Sequence, residues 1–435
     1  MAARATIVFI WLPAARAFVP AGRLEMVEDG RVSYATFRYG ARYLRRPDAV
    51  PVDPEALPLD PSPVRTQESF PLFNGIRDAA PDGWGRYLMS RAARGKPLGE
   101  FDYLVASGDH RVGALAFGPS ANAPPKRIAP WKESIEGEAL DFVALLDAVD
   151  RLPDAGDDFD PALEQLLAAG SSLGGARPKA ALLREGRDWI AKFSLRDDPY
   201  NICRAELAAM TLAARCGLMV PSLDVVRAAG RDVYLIERFD RRRSSRGDRE
   251  RIPFASGLTM LYAHEIAAYR YGYADLAEAV RKHGTHPKQD LGELFRRMVF
   301  NVLCTNDDDH LRNHAFLFDG KGWRLSPLYD VVPKPQTSTE HRLALRVGEH
   351  GRDATLANAL TSAPSFGFAH QQATVAIETL RRQVAAEWEQ VFRDCGVPQE
   401  DMPRLAGCFA EARDADWAGR PPRGGWTPEH ARDRL

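Results

Sequence analysis

Cysteine is scarce in this chain and scattered. Cys203, Cys216, Cys304, Cys395 and Cys408 form no Cys-x-x-Cys pair, which argues against a disulfide framework and predicts reduced, mostly buried thiols in a cytoplasmic protein. Neither sign of charge dominates: the net charge of −1 gives no global attraction for nucleic acid. No apolar run approaches the length of a membrane-spanning helix, and no internal repeat is present. What remains is a globular composition, 45% hydrophobic and 27% charged over 435 residues, too long for one core and therefore expected to form two or three domains.

The amino terminus imitates a signal peptide, with Arg4, an apolar run Ile7 to Leu12 and an Ala15-Arg16-Ala17 that resembles a cleavage site. The run is short and stopped by Pro13, and its β-branched and aromatic residues predict a buried first strand. Strands over Val19–Met26 and Val32–Tyr39 follow around Glu28-Asp29-Gly30, then a proline-dense connection from Pro47 to Pro63. Pro81-Asp82-Gly83 predicts a turn into an amphipathic helix with Trp84 as a packing anchor. A second proline-rich stretch, Gly118 to Pro130, reads as a linker.

The densest chemistry lies in Thr305 to Asp330, TNDDDHLRNHAFLFDGKGWRLSPLYD. Asp307, Asp308 and Asp309 crowd too much negative charge for a core and call for a cation. The runs His314–Phe318 and Trp323–Leu325 flank Asp319-Gly320-Lys321-Gly322, a β-hairpin signal, so Asp330 is expected to return toward the acidic loop. An Asp, an Asn five residues on and a second Asp beyond a hairpin are what a protein-kinase-type site needs: a carboxylate for the substrate hydroxyl proton, and an amide and a carboxylate for Mg2+. A solvated turn is the plainer reading. An EF-hand would need Gly at Arg312 and Glu at Phe318, and a zincin would need Glu at Leu311. A phosphohydrolase using His310 and the aspartates as ligands stays open.

Upstream, helices are predicted over Ala139–Leu152 and Pro161–Ala169. Gly170 to Leu183, GSSLGGARPKAALL, then offers Ser171, Ser172, Gly174 and Gly175 for close backbone approach, and Arg177 and Lys179 for negative charge. Alone, such a loop is equally a connector. It is not a P-loop, because Ala176 and Arg177 stand where Lys and Ser/Thr belong. A strand pair, Ala180–Arg184 and Trp189–Phe193, places Lys192 among apolar neighbours, where a lysine needs a partner. Glu206 on a helix over Asn201–Cys216 could supply the lysine–glutamate pair that orients nucleotide phosphates in kinases. Two further strands end at Glu237-Arg238-Phe239-Asp240, a hinge offering backbone groups to an adenine and Asp240 to a ribose. The arginine-rich Arg241–Arg251 reads as a solvated loop. Helices are predicted over Leu258–Tyr269, Tyr273–Lys282, Leu291–Cys304, Ala354–Thr361, Ala369–Cys395 and Met402–Arg413, followed by a mobile tail.

Taken together the chain resembles the HipA family of bacterial serine/threonine kinases, the toxins of type II toxin–antitoxin pairs. The likeness rests on VPAGRL (Val19–Leu24), PDGWGR (Pro81–Arg86), GALAF (Gly113–Phe117), SLGGARPKA (Ser172–Ala180), AKF (Ala191–Phe193), ERFDR (Glu237–Arg241), NDDDHLRNHAF (Asn306–Phe316) and SPLYD (Ser326–Asp330). The resemblance implies an α+β, two-lobed protein-kinase-like fold with an additional β-rich amino-terminal domain. The expected division is 1–130 for that domain and its linker, 131–240 for the first kinase lobe, 241–418 for the helical second lobe and 419–435 for the tail. ATP and Mg2+ are the implied cofactors. Asp308 is implied as the base, open by one position because of its acidic neighbours, with Asn313 and Asp330 on Mg2+. Lys192 is implied on the phosphates and Ser172 as the autophosphorylated loop serine. Gly174, Gly175, Lys179, Glu206, Glu237, Phe239, Asp240 and His310 complete the expected nucleotide site. A helix-turn-helix antitoxin, DNA only through it, and a translation protein such as an aminoacyl-tRNA synthetase as substrate are the implied partners. The competing classes are a metal-dependent phosphohydrolase or nuclease on Asp307–His310, and a catalytically silent antitoxin-binding module.

Overall fold

A computed structural model describes residues 3–29, 33–67, 70–126, 141–154, 160–244, 246–336 and 340–419. The predicted mobile tail from Arg420 onward, the end of the predicted linker and the predicted helix start at Ala139 lie outside them. The chain forms two compact units: residues 1–197, 224–264 and 317–320 make the first, and residues 198–223, 265–316 and 321–435 the second. The first unit thus combines the amino-terminal β-rich part with the glycine loop and the strand lysine. The fold is mixed, with sheets concentrated in the first unit and helices in the second.

In the first unit, β1 (Arg4–Leu12), β2 (Ala17–Glu28), β3 (Ser33–Tyr39), β4 (Val64–Arg65) and β5 (Leu115–Gly118) form one antiparallel sheet in the order β4-β3-β2-β1-β5. The amino-terminal apolar run is therefore a strand hydrogen-bonded on both sides. Alternation explains its burial, since Val8, Ile10 and Leu12 enter a core with Leu24, Met26, Phe37 and Phe117. A bulge between Val8 and Phe9 sets Pro20 opposite Phe9, at a place where a residue without an N–H is tolerated. The second sheet, in the order β6-β7-β9-β8, comprises β6 (Lys179–Arg184), β7 (Arg187–Phe193), β8 (Leu223–Ala228) and β9 (Arg231–Glu237). Glu185 and Gly186, both at positive φ, make the tight turn that the sequence signals. Helices Phe142–Arg151 and Pro161–Gly170 start on Asp141 and Asp160, whose side chains accept from backbone N–H groups of the first turn, and both pack into the core beneath this sheet.

The second unit is built on helices Ile202–Arg215, Tyr273–His283, Pro287–Leu303 and the long His370–Asp394. Asn201 caps the first of these through Arg204 N, and Gly217 at φ 74 follows its end. Two predicted helices are not continuous. Leu258–Tyr269 resolves into a turn of helix at Gly257–Met260 and a 3-10 segment at Glu265–Arg270, because Tyr262 adopts φ 47 and Asn74 Nδ2 takes the Leu258 and Ala263 carbonyls at 3.2 and 3.0 Å. Met402–Arg413 is likewise divided by a 3-10 turn at Gly407–Phe409, where glycine weakens the helix. Among the described residues no helix is long and apolar enough to cross a membrane.

Candidate functional site

The chemistry of the first unit gathers where the helix Pro161–Gly170 gives way to β6. The chain passes through Ser171, Ser172, Leu173 and Gly174 to Gly175, whose φ of 79° favours glycine. A Cβ on Gly175 would lie 2.5 Å from Lys179 Nζ, so the lysine side chain folds back over the loop that precedes it. Lys179 opens β6 directly opposite Lys192 on β7, and both are buried. Lys192 is flanked on its other side by Tyr234 of β9, with Nζ 5.8 Å from the ring centroid. Two ammonium groups opposite each other on one buried stretch of ladder concentrate positive charge beside the glycine loop, a setting that suits an anion. The Ser171 and Ser172 hydroxyls are buried and meet no hydrogen-bond partner. Backbone amides, two lysines and two such hydroxyls fit a polyphosphate.

Trp84 does more than anchor packing. Its backbone N–H donates to Gly175 O at 2.8 Å and its indole N–H to Lys179 O at 2.9 Å, so the PDGWGR segment holds the glycine loop by both ends. The sequence offered one clue, the two glycines around this tryptophan, which carried no separate meaning without the loop beside them.

The hinge at the end of β9 requires a correction. Asp240 was expected to meet a ribose, but its carboxylate is consumed internally. Oδ1 accepts from Arg238 Nε at 2.9 Å, and Oδ2 from Arg238 Nη2, Arg241 Nη1 and Gly113 N at 2.7, 2.8 and 2.7 Å. Burial alone would raise this carboxyl, yet Arg238 and Arg241 outweigh it and hold the group well below the ordinary range. Asp240 is a buried structural anion. Glu237 closes β9 and accepts from Arg187 Nη1 at 3.1 Å, and Phe239 follows on the exit. The arginine-rich segment is largely occupied locally, through Arg242–Glu250 and Arg249–Asp188 pairs.

In the second unit the helix Pro287–Leu303 feeds the acidic loop. Thr305 reverses the chain at φ 52 and donates to Cys408 O at 2.7 Å. A buried chain of hydrogen bonds then fixes the loop: Asn306 Nδ2 to Asn301 Oδ1, Asn301 Nδ2 to Tyr273 Oη, Tyr273 Oη to Asp309 Oδ2, and Ala344 N to Asp309 Oδ1, at 3.1, 2.8, 2.7 and 2.6 Å. Asp309 is therefore an anchor, 1% exposed, and burial pushes its carboxyl up to about 7. Asp308 beside it has a side chain 71% exposed. Desolvation raises the Asp308 carboxyl and His310 opposes it, while the charges of Asp330 and Asp307 raise it further against Lys334. With the side chain this open to water, repulsion by the two carboxylates is the part that persists.

Asn313 Nδ2 donates to Asp308 O at 2.6 Å, which turns the amide oxygen to the opposite side. Asp330 arrives after the hairpin Ala315–Phe318 and Trp323–Leu325, held at φ 60, and Tyr329 Oη donates to Arg312 O at 2.6 Å. The predicted return of Asp330 toward Asp308 is thus realised within this unit. An amide oxygen and a carboxylate are hard donors suited to Mg2+, and a cation there would relieve the crowding at Asp308. Asp307 is occupied by Lys334 and Gln336 at 3.1 and 3.0 Å. His310 Nε2 lies 3.7 Å from Asp308, whereas His314 turns Nε2 to Asp309 O at 3.2 Å, so the two histidines do not converge. Among the described residues no three His, Cys, Asp or Glu are arranged to hold a metal. Glu206 is buried on helix Ile202–Arg215 of the second unit.

The profile of the HipA-like C-terminal domain matches residues 171–388, and that of the HipA N-terminal domain matches residues 16–118. The chain belongs to the HipA family. This HipA-family chain is 26% identical over 334 residues to the candidate kinase Y4mE of Sinorhizobium fredii, covering 72% of this chain and 76% of that protein. It is 29% identical over 212 residues to a candidate kinase of Haemophilus influenzae, covering 43% and 61%. Among solved structures, HipA of Shewanella oneidensis MR-1, determined with HipB and its operator DNA, superposes with a TM-score of 0.64 at 17% identity, over 93% of this chain and 95% of that one. Family and relatives together support a HipA-type kinase, and the fold agrees.

Proposed function

We propose that this HipA-family chain is an ATP-dependent kinase that transfers the γ-phosphoryl group to a serine or threonine of a protein. The observation that carries the reading is the division of labour in the acidic loop, where buried Asp309 anchors the turn and leaves Asp308 exposed beside Asn313 and Asp330. Asp308 accepts the proton of the incoming hydroxyl, and its raised pKa suits a base of modest strength. Asn313 and Asp330 hold Mg2+, which when bound would neutralise charge on the transferring phosphate oxygens. In the first unit the glycine loop, Lys179 and Lys192 bind the polyphosphate. The backbone of Glu237–Phe239 takes the adenine, and His310 stands ready beside Asp308 for the terminal phosphate. Ser172 is the acceptor of autophosphorylation.

The partners follow by likeness. The Shewanella relative was determined with HipB and DNA, which favours a helix-turn-helix antitoxin for this chain and contact with DNA through it. A translation component such as an aminoacyl-tRNA synthetase is the proposed substrate. The phosphohydrolase reading on Asp307–His310 is weaker because Asp309 is bonded to Tyr273 and Ala344 N and Asp307 to Lys334 and Gln336. Calorimetric titration with Mg·ATP, followed by transfer of labelled phosphate to protein, tests the proposal: binding with transfer supports it, while hydrolysis of phosphate esters without ATP binding would replace it.

A further inference from the structure

We propose that Trp84 is a positioning residue for the nucleotide, and that the helix Gly83–Ala92 acts as a clamp that sets the conformation of the glycine loop. The inference rests on the nucleotide-binding reading above for its consequence, but its structural content is independent of it. Three approaches carry it. The two Trp84 hydrogen bonds grip Gly175 and Lys179, one on either side of the Ala176-Arg177-Pro178 segment. On the inner face of the helix, a Cβ on Gly85 would lie 2.7 Å from Ser171 O and 2.8 Å from Leu173 O, and a Cβ on Gly83 would meet Gly175 O and Ala176 Cα at 3.3 Å. From the opposite side, a Cβ on Gly170 would come within 2.8 Å of Lys179 O and 3.0 Å of Trp84 Nε1.

Glycine at 83, 85 and 170 is thus what lets the helix lie directly on the loop backbone. Contacts of this closeness are specific, because packed backbone cannot yield by the several tenths of an ångström that a methyl group requires. Ser171 and Ser172 are buried in the loop on which this helix lies, so on this proposal opening of the Trp84 bonds frees Ser172 to act as an acceptor. Holding the loop in place and delaying access to Ser172 are therefore two effects of one set of contacts. A buried carbonyl left without its donor is costly, so the loss of the indole N–H alone should shift the balance toward the open loop.

The test compares Trp84→Phe, which keeps a ring and loses the N–H, with Met89→Ala, which cuts a cavity in the core that the same helix helps to form. Hydrogen exchange on the nucleotide-free full chain should show amides of 171–178 exchanging faster in Trp84→Phe, with strands β6 and β7 unchanged. Mg·ATP titration should show affinity lowered about five- to tenfold, kcat at saturation nearly unchanged, and faster phosphorylation of Ser172. Met89→Ala should lower stability with no selective effect on the loop. Loop exchange that is the same in Trp84→Phe as in wild type, or raised equally in Met89→Ala, overturns the clamp. If the wild type binds no ATP while Trp84→Phe still frees the loop selectively, the nucleotide reading falls and the clamp stands.

Discussion

Lys179 and Lys192 stand directly opposite each other on β6 and β7, 7% and 8% exposed. Cross-strand neighbours share a face of the sheet, so the two lysines concentrate positive charge where the proposed reading places a polyphosphate. The arrangement predicts that Lys192→Met leaves the chain folded and removes its response to nucleotide. A ligand at a hundred times its Kd adds about 2.7 kcal/mol to the stability of a protein that binds it only when folded. Thermal melts with and without Mg·ATP should therefore separate in the wild type and coincide in Lys192→Met. An unfolded variant would assign the lysine to the core instead.

Asp309 predicts a pH dependence. Its folded pKa of about 7 lies above the unfolded value of about 4, so between these the folded state binds the proton more tightly and stability falls as pH rises. Asp309→Asn cannot titrate. The difference in Tm, wild type minus variant, should decline from about pH 4 to about pH 7 and be flat above that window. Parallel curves across the window would show that Asp309 is ionised throughout.

Asp240 distinguishes a structural anion from a ribose contact. Asp240→Ala leaves Arg238 and Arg241 buried without their carboxylate, a change that costs about 3–5 kcal/mol. Urea unfolding should show the midpoint lowered accordingly. A ribose ligand would give the reverse pattern, with unchanged stability and weakened ATP binding.

Ser172 is expected to gain one phosphate when phosphatase-treated protein is incubated with Mg·ATP. That modification adds about −1.5 to −2 charges among groups that must cradle a polyphosphate, so ATP affinity should fall with its progress. Intact mass and peptide mapping follow the first event and calorimetry the second. Full activity in a fully phosphorylated sample would end the inhibitory role, and phosphate on Ser171 would move the acceptor by one residue.

What the sequence made legible was local. The β6–β7 hairpin follows from Glu185-Gly186, and the hairpin before Asp330 from Asp319-Gly320. Each is decided by residues close together in the chain, as is the order of motifs that marks the family. What stayed hidden depends on partners far away in sequence: Trp84 meets Lys179 across 95 positions, and Asp240 meets Gly113 across 127. The same holds for Asp309, whose identity as an anchor comes from Tyr273 and Ala344. Three adjacent aspartates look alike in sequence, and only distant hydrogen-bond donors set their roles. The helix expected over Leu258–Tyr269 failed for a related reason, since Asn74 captures two of its carbonyls.

Asp308→Asn is the most direct test of the central claim. In the proposed mechanism the exposed carboxylate acts on the incoming hydroxyl, whereas nucleotide binding rests on other groups. Calorimetry should find Mg·ATP bound with affinity close to that of the wild type. Labelled-phosphate transfer should fall by a factor of 100 or more, about 2.7 kcal/mol in barrier height. Full transfer in Asp308→Asn, with activity lost only in Asp309→Asn, would contradict the assignment of the base and with it the account of the acidic loop.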